Sequence, residues 1–323
     1  MRLNFIFDAD KANAELDAVI IPAANWIGAH VDFSHVAALI EKLKIPVVLI
    51  GLGAQSENYD GEIAVPAGTR RFLTAVFDRS ARVSVRGEYT ASVLKKLGYA
   101  NFTVTGCPSL YCDFRRFEKP APGEFEIRRC LVNATRYSAV HMPNAREESP
   151  NWALMRFAFK HRLDLLFQSE PEELALLFGF EGPEVFNERV VMMMKEIYDA
   201  KDWLHVRDYV LKHGRAFLDV DEWAEAVAHY QFVYGTRLHG TIMALNSGVS
   251  AMLLWHDSRT REIAEFAAMP SMDANLAEFT ESGLARAYES LDLKAYFRRR
   301  EENRTVYKRF LQENGLAESK RPF

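Results

Sequence analysis

Arg237, Leu238 and His239 stand in the stretch YGTRLHGTIMALNSG, between the apolar run QFVYG (231–235) and a segment patterned as a helix. Arginine offers a planar fork of donors that matches a carboxylate or a phosphate. Histidine changes charge near neutrality and is the usual side chain for delivering a proton. Two cationic groups beside glycines at such a junction are costly to bury without a partner, so the pattern points to something anionic there. Arg259 follows His239 by 20 residues, in LLWHDSRTREIAE (253–265), after another apolar run. Asp257 in that segment has the type and place of a helix N-cap. Arg86 in SVRGEY (84–89), and Asn133 and Arg136 in VNATRY (132–137), follow strand-like runs in the same way. For each arginine an ion pair within the protein competes with ligand contact, and for His239 a hydrogen-bonded packing role does.

Other chemistries lack their signatures. Gly51-Leu52-Gly53 in IGLGAQSEN (50–58) has no third glycine at dinucleotide-binding spacing, and no phosphate-binding loop, HExxH helix or GxSxG elbow occurs. Three cysteines, Cys107, Cys112 and Cys130, have neither disulfide-framework nor metal-site spacing, and Cys107 in TGCPSL reads as a packed turn residue. A net charge of −4 gives no basic field for nucleic acid. The N-terminal apolar run is too short for a signal peptide and none is long enough to span a bilayer. The expectation is a cytoplasmic protein, with peripheral membrane association left open and the oligomeric state unspecified.

The elements that must position these residues read as α/β. Strand-like runs at 3–7, 18–21, 46–51, 82–85 and 102–105 alternate with amphipathic patterns at 34–44, 69–79 and 87–98. Nearly continuous apolar strands between helices mean a parallel sheet covered on both faces. FEKPAPGEFE (117–126) breaks the periodicity, which then resumes with strands at 128–135, 163–167, 215–218, 231–235 and 250–255 between helices near 152–160, 171–178, 185–198, 221–230 and 237–247. The expected architecture is two Rossmann-like doubly wound domains facing a cleft, glycosyltransferase-B-like. The first spans 1–120 and the second 125–275; a helical tail over 276–323 returns to the first. Arg237, Leu238 and His239 then lie at a strand's carboxyl end and a helix's amino end, where backbone N–H groups and the helix dipole favour an anion.

VYGTRLHGTIMALNSGVSAMLLWHDSR, with SVRGEYTASVLKKLGYANFTVTGCPSL and VVLIGLGAQ, resembles the polysaccharide pyruvyl transferases over roughly residues 18 to 270. The resemblance implies transfer of the enolpyruvyl unit of phosphoenolpyruvate to a sugar, closing a cyclic ketal. It implies phosphoenolpyruvate as donor substrate with no cofactor or metal, and a sugar or lipid-linked glycan of cell-surface polysaccharide as acceptor, bound on the first domain. By position it makes His239 the essential histidine and Arg237 the donor-binding arginine, with Leu238 lining the same pocket. Arg259 falls where many members carry lysine. Arg136, Asn133 and Arg86 complete the candidate substrate-binding set. A glycosyltransferase using a nucleotide-sugar and a catalytically silent binding protein of the same fold are the alternatives.

Overall fold

The structure, a computed structural model, describes residues 7–56, 63–115, 117, 124–136 and 149–316. The chain forms two compact units, one of Met1–Leu110, Asp257–Ala268 and Phe297–Pro322, the other chiefly of Tyr111–His256 and Met269–Tyr296.

The first unit runs α1 (Ala9–Glu15), β1 (Val19–Pro22), β2 (Asn25–Ile27), α2 (Ser34–Ile40), β3 (Val47–Ile50), β4 (Gly53–Ala54), α3 (Ala67–Phe77), β5 (Val83–Val85), α4 (Glu88–Lys96) and β6 (Phe102–Val104). Its ladders, β1 with β3, β2 with β4 and β5 with β6, are all parallel, and a parallel bridge joins Leu52 to Val85. Every residue of β3 is buried, as expected of a strand covered on both faces. α4 ends on Lys95 and Lys96, and Gly98 follows at φ +90°, a left-handed turn that glycine takes without strain. The strand read at 3–7 lies, except for Phe7, outside the described residues, as does most of the break at 117–126.

The second unit carries the larger sheet. After β7 (Cys130–Asn133) come α5 (Pro150–His161), β8 (Asp164–Leu166), α6 (Pro171–Leu177), α7 (Glu188–Tyr198), α8 (Trp203–His213), β9 (Gly214–Arg215), α9 (Val220–Ala228), β10 (Phe232–Gly235), α10 (Leu238–Asn246) and β11 (Ser250–Trp255). α11 (Ser258–Ala267) belongs to the first unit; β12 (Ser271–Asp273) and α12 (Glu281–Glu289) return to the second. The six strands run in the order β12-β11-β10-β7-β8-β9, parallel throughout. Counted within the unit this is the doubly wound order 3-2-1-4-5-6 read from its far edge, and it reverses between β7 and β10. Both units are thus parallel α/β folds of Rossmann type.

One expected strand is corrected. The run at 215–218 pairs only over Gly214–Arg215, at the sheet edge; Phe217 leaves the ladder to stack on Trp223, and Leu218 is 86% exposed. Apolar character alone predicts a longer strand, but only one side of an edge strand offers a partner.

The last helix, α13 (Leu293–Glu313), lies from Phe297 onward in the first unit. There Phe310 packs with Val48 and Ile50, Arg300 Nε donates to the carbonyl of Leu110 at 2.8 Å, and Arg82 pairs with Glu313 at 2.8 Å. Among the described residues no helix is long and apolar enough to cross a membrane.

Candidate functional site

Arg237 is the N-cap of α10, two residues beyond the end of β10, and no side chain caps that helix. The turn is built on Asn133 at the end of β7. Its carbonyl accepts the N–H of Thr236 at 2.7 Å and of Arg237 at 3.3 Å, and its side-chain Nδ2 donates to the carbonyl of Arg237 at 2.7 Å. Asn133 can sit there because Gly235 and Gly240 lack side chains. A Cβ on Gly235 would lie 1.9 Å from the Asn133 carbonyl oxygen, and one on Gly240 would lie 2.2 Å from Asn133 Nδ2. The glycine closing the RLHG segment therefore makes room for the strut beneath the arginine. β7 and β10 are the two strands between which the order reverses, the place where open parallel sheets take ligands.

The Arg237 side chain is 22% exposed. Its Nη2 donates to Ser169 Oγ at 2.6 Å, to Thr135 Oγ1 at 3.0 Å and to Glu170 Oε1. Its Nε is buried with no partner among the described residues. Glu170 itself is fully buried; its Oε2 accepts the backbone N–H groups of Gln168 and Ser169, each at 3.0 Å, and its Oε1 also accepts from Thr135. Burial pushes its carboxyl pKa up, but Arg237, these N–H groups and the Thr135 hydroxyl outweigh it and hold the pKa below the ordinary carboxylate value. Glu170 is accordingly ionised at neutral pH.

His239 is exposed in the first turn of α10. Arg237 and His239 line one cavity of about 400 Å³, with Gln168, Leu174, Phe178, Phe217, Leu218 and Trp223 on its other walls. Leu238, between them in sequence, turns inward and is 6% exposed. A cationic fork, an exposed imidazole and the amino end of a helix on one cavity, with apolar walls opposite, can hold a small anion and deliver a proton to it.

The remaining candidates go elsewhere. Arg136 is buried, and its guanidinium pairs with Glu172 and, at 3.1 Å, with Glu173. Its charge is answered within the protein. Burial pushes the Glu173 carboxyl up to about 7 despite that arginine. Arg86, in the first unit, is buried too: its Nε donates to the Gly51 carbonyl at 2.8 Å, Nη1 to Asn25 Oδ1 at 2.9 Å and Nη2 to the Ala23 carbonyl at 3.3 Å. The Gly51-Leu52-Gly53 turn makes room for it, since a Cβ on Gly53 would meet Asn25 and Arg86 within 3.0 Å. Arg259 also belongs to the first unit, on α11, and pairs with Asp257 at 3.3 Å. Asp257 caps α11 as expected, accepting the N–H of Thr260 at 2.7 Å in a reciprocal capping box. Cys107 is buried in its turn, 3.0 Å from the Ser109 hydroxyl.

Glu170, Ser169 and Thr135 are the contributors the sequence reading missed. The available signal was the run SEPEE (169–173), which places three acids at the start of α6, while Arg136 and Arg237 follow the ends of β7 and β10.

The fold and site thus define an α/β protein with an arginine and a histidine on one cavity at the switch point of its larger sheet. The chain belongs to the polysaccharide pyruvyl transferase family, whose profile matches residues 2–258. No curated protein matches it in sequence. Among solved structures it is similar to accessory secretory protein 1,2 and 3 of Streptococcus pneumoniae, at 13% identity and a TM-score of 0.44 over 93% of this chain and 54% of that one. The chain therefore spans about half the length of that relative. It is also similar to the S. aureus MnaA-UDP co-structure (14% identity, TM-score 0.47, 98% of this chain and 81% of that one). A putative UDP-N-acetylglucosamine 2-epimerase from Listeria monocytogenes is a third likeness (12% identity, TM-score 0.49, 96% and 78%).

Proposed function

We propose that the protein transfers the enolpyruvyl unit of phosphoenolpyruvate to a sugar of a cell-surface glycan or its lipid-linked precursor, forming a pyruvate ketal. The observation that carries this reading is the sharing of one cavity by Arg237 and His239 at the carboxyl end of β10. The donor carries a carboxylate and a phosphate, and the guanidinium and the amino end of α10 supply directed donors for such groups.

In this mechanism His239, protonated, gives its proton to the methylene carbon C3 of the donor. C2 becomes oxocarbenium-like and is attacked by a sugar hydroxyl, whose proton returns to the imidazole. The C2–O bond to phosphate then breaks, and a second hydroxyl of the same sugar closes the ring at C2, its proton leaving with phosphate. The donor's methylene has become a methyl group, and both sugar oxygens are bonded to C2. The scheme calls on no cofactor and no metal. Phe178, Phe217, Leu218 and Trp223 give the same cavity its apolar wall.

Phosphate release from phosphoenolpyruvate, measured against a panel of acceptor glycosides, tests the reading. Release that depends on one class of glycoside is expected. Transfer of a sugar from a nucleotide-sugar, with no phosphate released from phosphoenolpyruvate, would replace it by the glycosyltransferase alternative.

A further inference from the structure

We propose that Glu170 is the positioning residue of this site: it locks one edge of the Arg237 guanidinium and balances its charge, so that Arg237 acts through direction rather than through net charge. The inference rests on the reading of Arg237 as the donor-binding arginine.

The geometry is one-sided. The three hydrogen bonds that the Arg237 side chain donates to Glu170, Ser169 and Thr135 all leave from Nη2. Nη1 takes part in none of them, and the side chain reaches the cavity wall beside His239. Glu170 cannot follow Arg237 if the latter moves. Its second oxygen is tied to the backbone N–H groups of Gln168 and Ser169, ahead of α6, and its first oxygen also holds the Thr135 hydroxyl beyond β7. The arginine is therefore fixed from three places: the Asn133 strut under its backbone, and the loops after β7 and β8 at its head group.

A buried, ionised carboxylate against the guanidinium also subtracts from the cavity's attraction for anions. Ground-state affinity that is shared equally with the transition state does not raise turnover, whereas a fixed guanidinium can be aimed at charge as it develops. Glu170 thus lowers the strength of donor binding and raises the orientation of the donor once bound. A merely structural carboxylate would move stability and leave both quantities where they are.

The test compares wild type with Glu170→Gln, which keeps the shape and removes the charge. Titration calorimetry with phosphoenolpyruvate and, independently of the donor assignment, with inorganic phosphate reads affinity; steady-state phosphate release reads turnover. The variant is expected to bind either anion about three- to tenfold more tightly, the size of one nearby unit charge in a partly solvated site. Its kcat is expected to fall at least about tenfold, a split that loss of stability alone does not produce. Tighter phosphate binding by the variant, with phosphoenolpyruvate ignored by both proteins, would uphold the charge balance while removing the donor assignment. Equal or weaker binding of both anions by the variant would overturn the role given to Glu170, as would unchanged kcat. If Glu170→Gln does not fold, Ser169→Ala decides, because Ser169 is exposed and supplies one of the acceptors of the same Nη2. It should lower kcat about two- to fivefold at unchanged anion affinity, and unchanged kcat would overturn the proposal.

Discussion

Arg86 and Arg237 occupy the same kind of place, just past the end of a parallel strand and just before a helix, and the structure uses them in opposite ways. Arg86 is 6% exposed and spends its donors on two backbone carbonyls and the Asn25 amide, tying together the ends of β1, β2 and β3. Arg237 is 22% exposed, is tied at one nitrogen to a buried carboxylate, and lines a cavity with a histidine. Position at a strand end does not make an arginine a ligand group. What decides is whether its donors are already spent on the fold, and the two residues are the extremes of that choice.

The comparison predicts that changes around Arg237 appear in turnover and binding, and changes around Arg86 in stability. The largest effect is expected for His239→Ala. Ketal formation should drop by about 10²–10⁴-fold, the usual contribution of a general acid, with phosphoenolpyruvate affinity changed by no more than about twofold. A fully active variant would remove the proton-transfer role.

Arg86→Ala comes next. It orphans two carbonyls and an amide in a buried turn, and a loss of about 3–5 kcal/mol in denaturant unfolding is expected. Any variant that remains folded should still respond to phosphoenolpyruvate; loss of the ligand response with stability intact would erase the contrast between the two arginines.

Gly240→Ala drives a methyl group into the Asn133 amide and displaces the strut under Arg237. The expected cost is about 1–3 kcal/mol of stability, accompanied by slower turnover. Unchanged turnover would show that the strut is not needed to hold the turn.

The smallest effect separates two buried glutamates by pH. Glu262 of α11 accepts the N–H and hydroxyl of Thr90 at the start of α4, and burial pushes its carboxyl up to about 7. A folded-state pKa above the unfolded one means that the native state binds the extra proton. This contribution favours folding at low pH and is lost as pH rises from about 4.5 to about 7. Glu170 has the opposite sign: its lowered pKa gives stability that is present above the unfolded value and lost as pH falls through the folded one. Glu173 titrates in the same range as Glu262, so the single change Glu262→Gln is needed to isolate it. Its expected signature is a flatter stability profile between pH 4.5 and 7 and a stability above wild type at pH 8. A profile unchanged from wild type would place the titration elsewhere.

Much of the fold was legible because period and punctuation agree. β3, β10 and β11 are apolar runs covered on both sides, and Gly98 and Gly248 close their helices at positive φ. The Asp257 cap was legible for the same local reason. Three short strands escaped: β2 (NWI), β4 (GA) and β12 (SMD) do not form a run of strand-forming residues. α8 carries Trp203, His205 and Lys212 around an apolar stripe too weak to mark a helix in the sequence. In the site, Arg237 and His239 were visible because the RLHG segment is local. The partners of the arginines were not, because Glu170 meets Arg237 across 67 residues and Asn25 meets Arg86 across 61. Such pairings depend on strand order, which no local pattern states.

Thermal unfolding of wild type and of Arg237→Ala with and without phosphoenolpyruvate tests the central claim most directly. Wild type should be protected by phosphoenolpyruvate and not by nucleotide-sugars, and the variant should lose that protection. Equal protection of both proteins, or protection by a nucleotide-sugar with none from phosphoenolpyruvate, would contradict the assignment of this cavity.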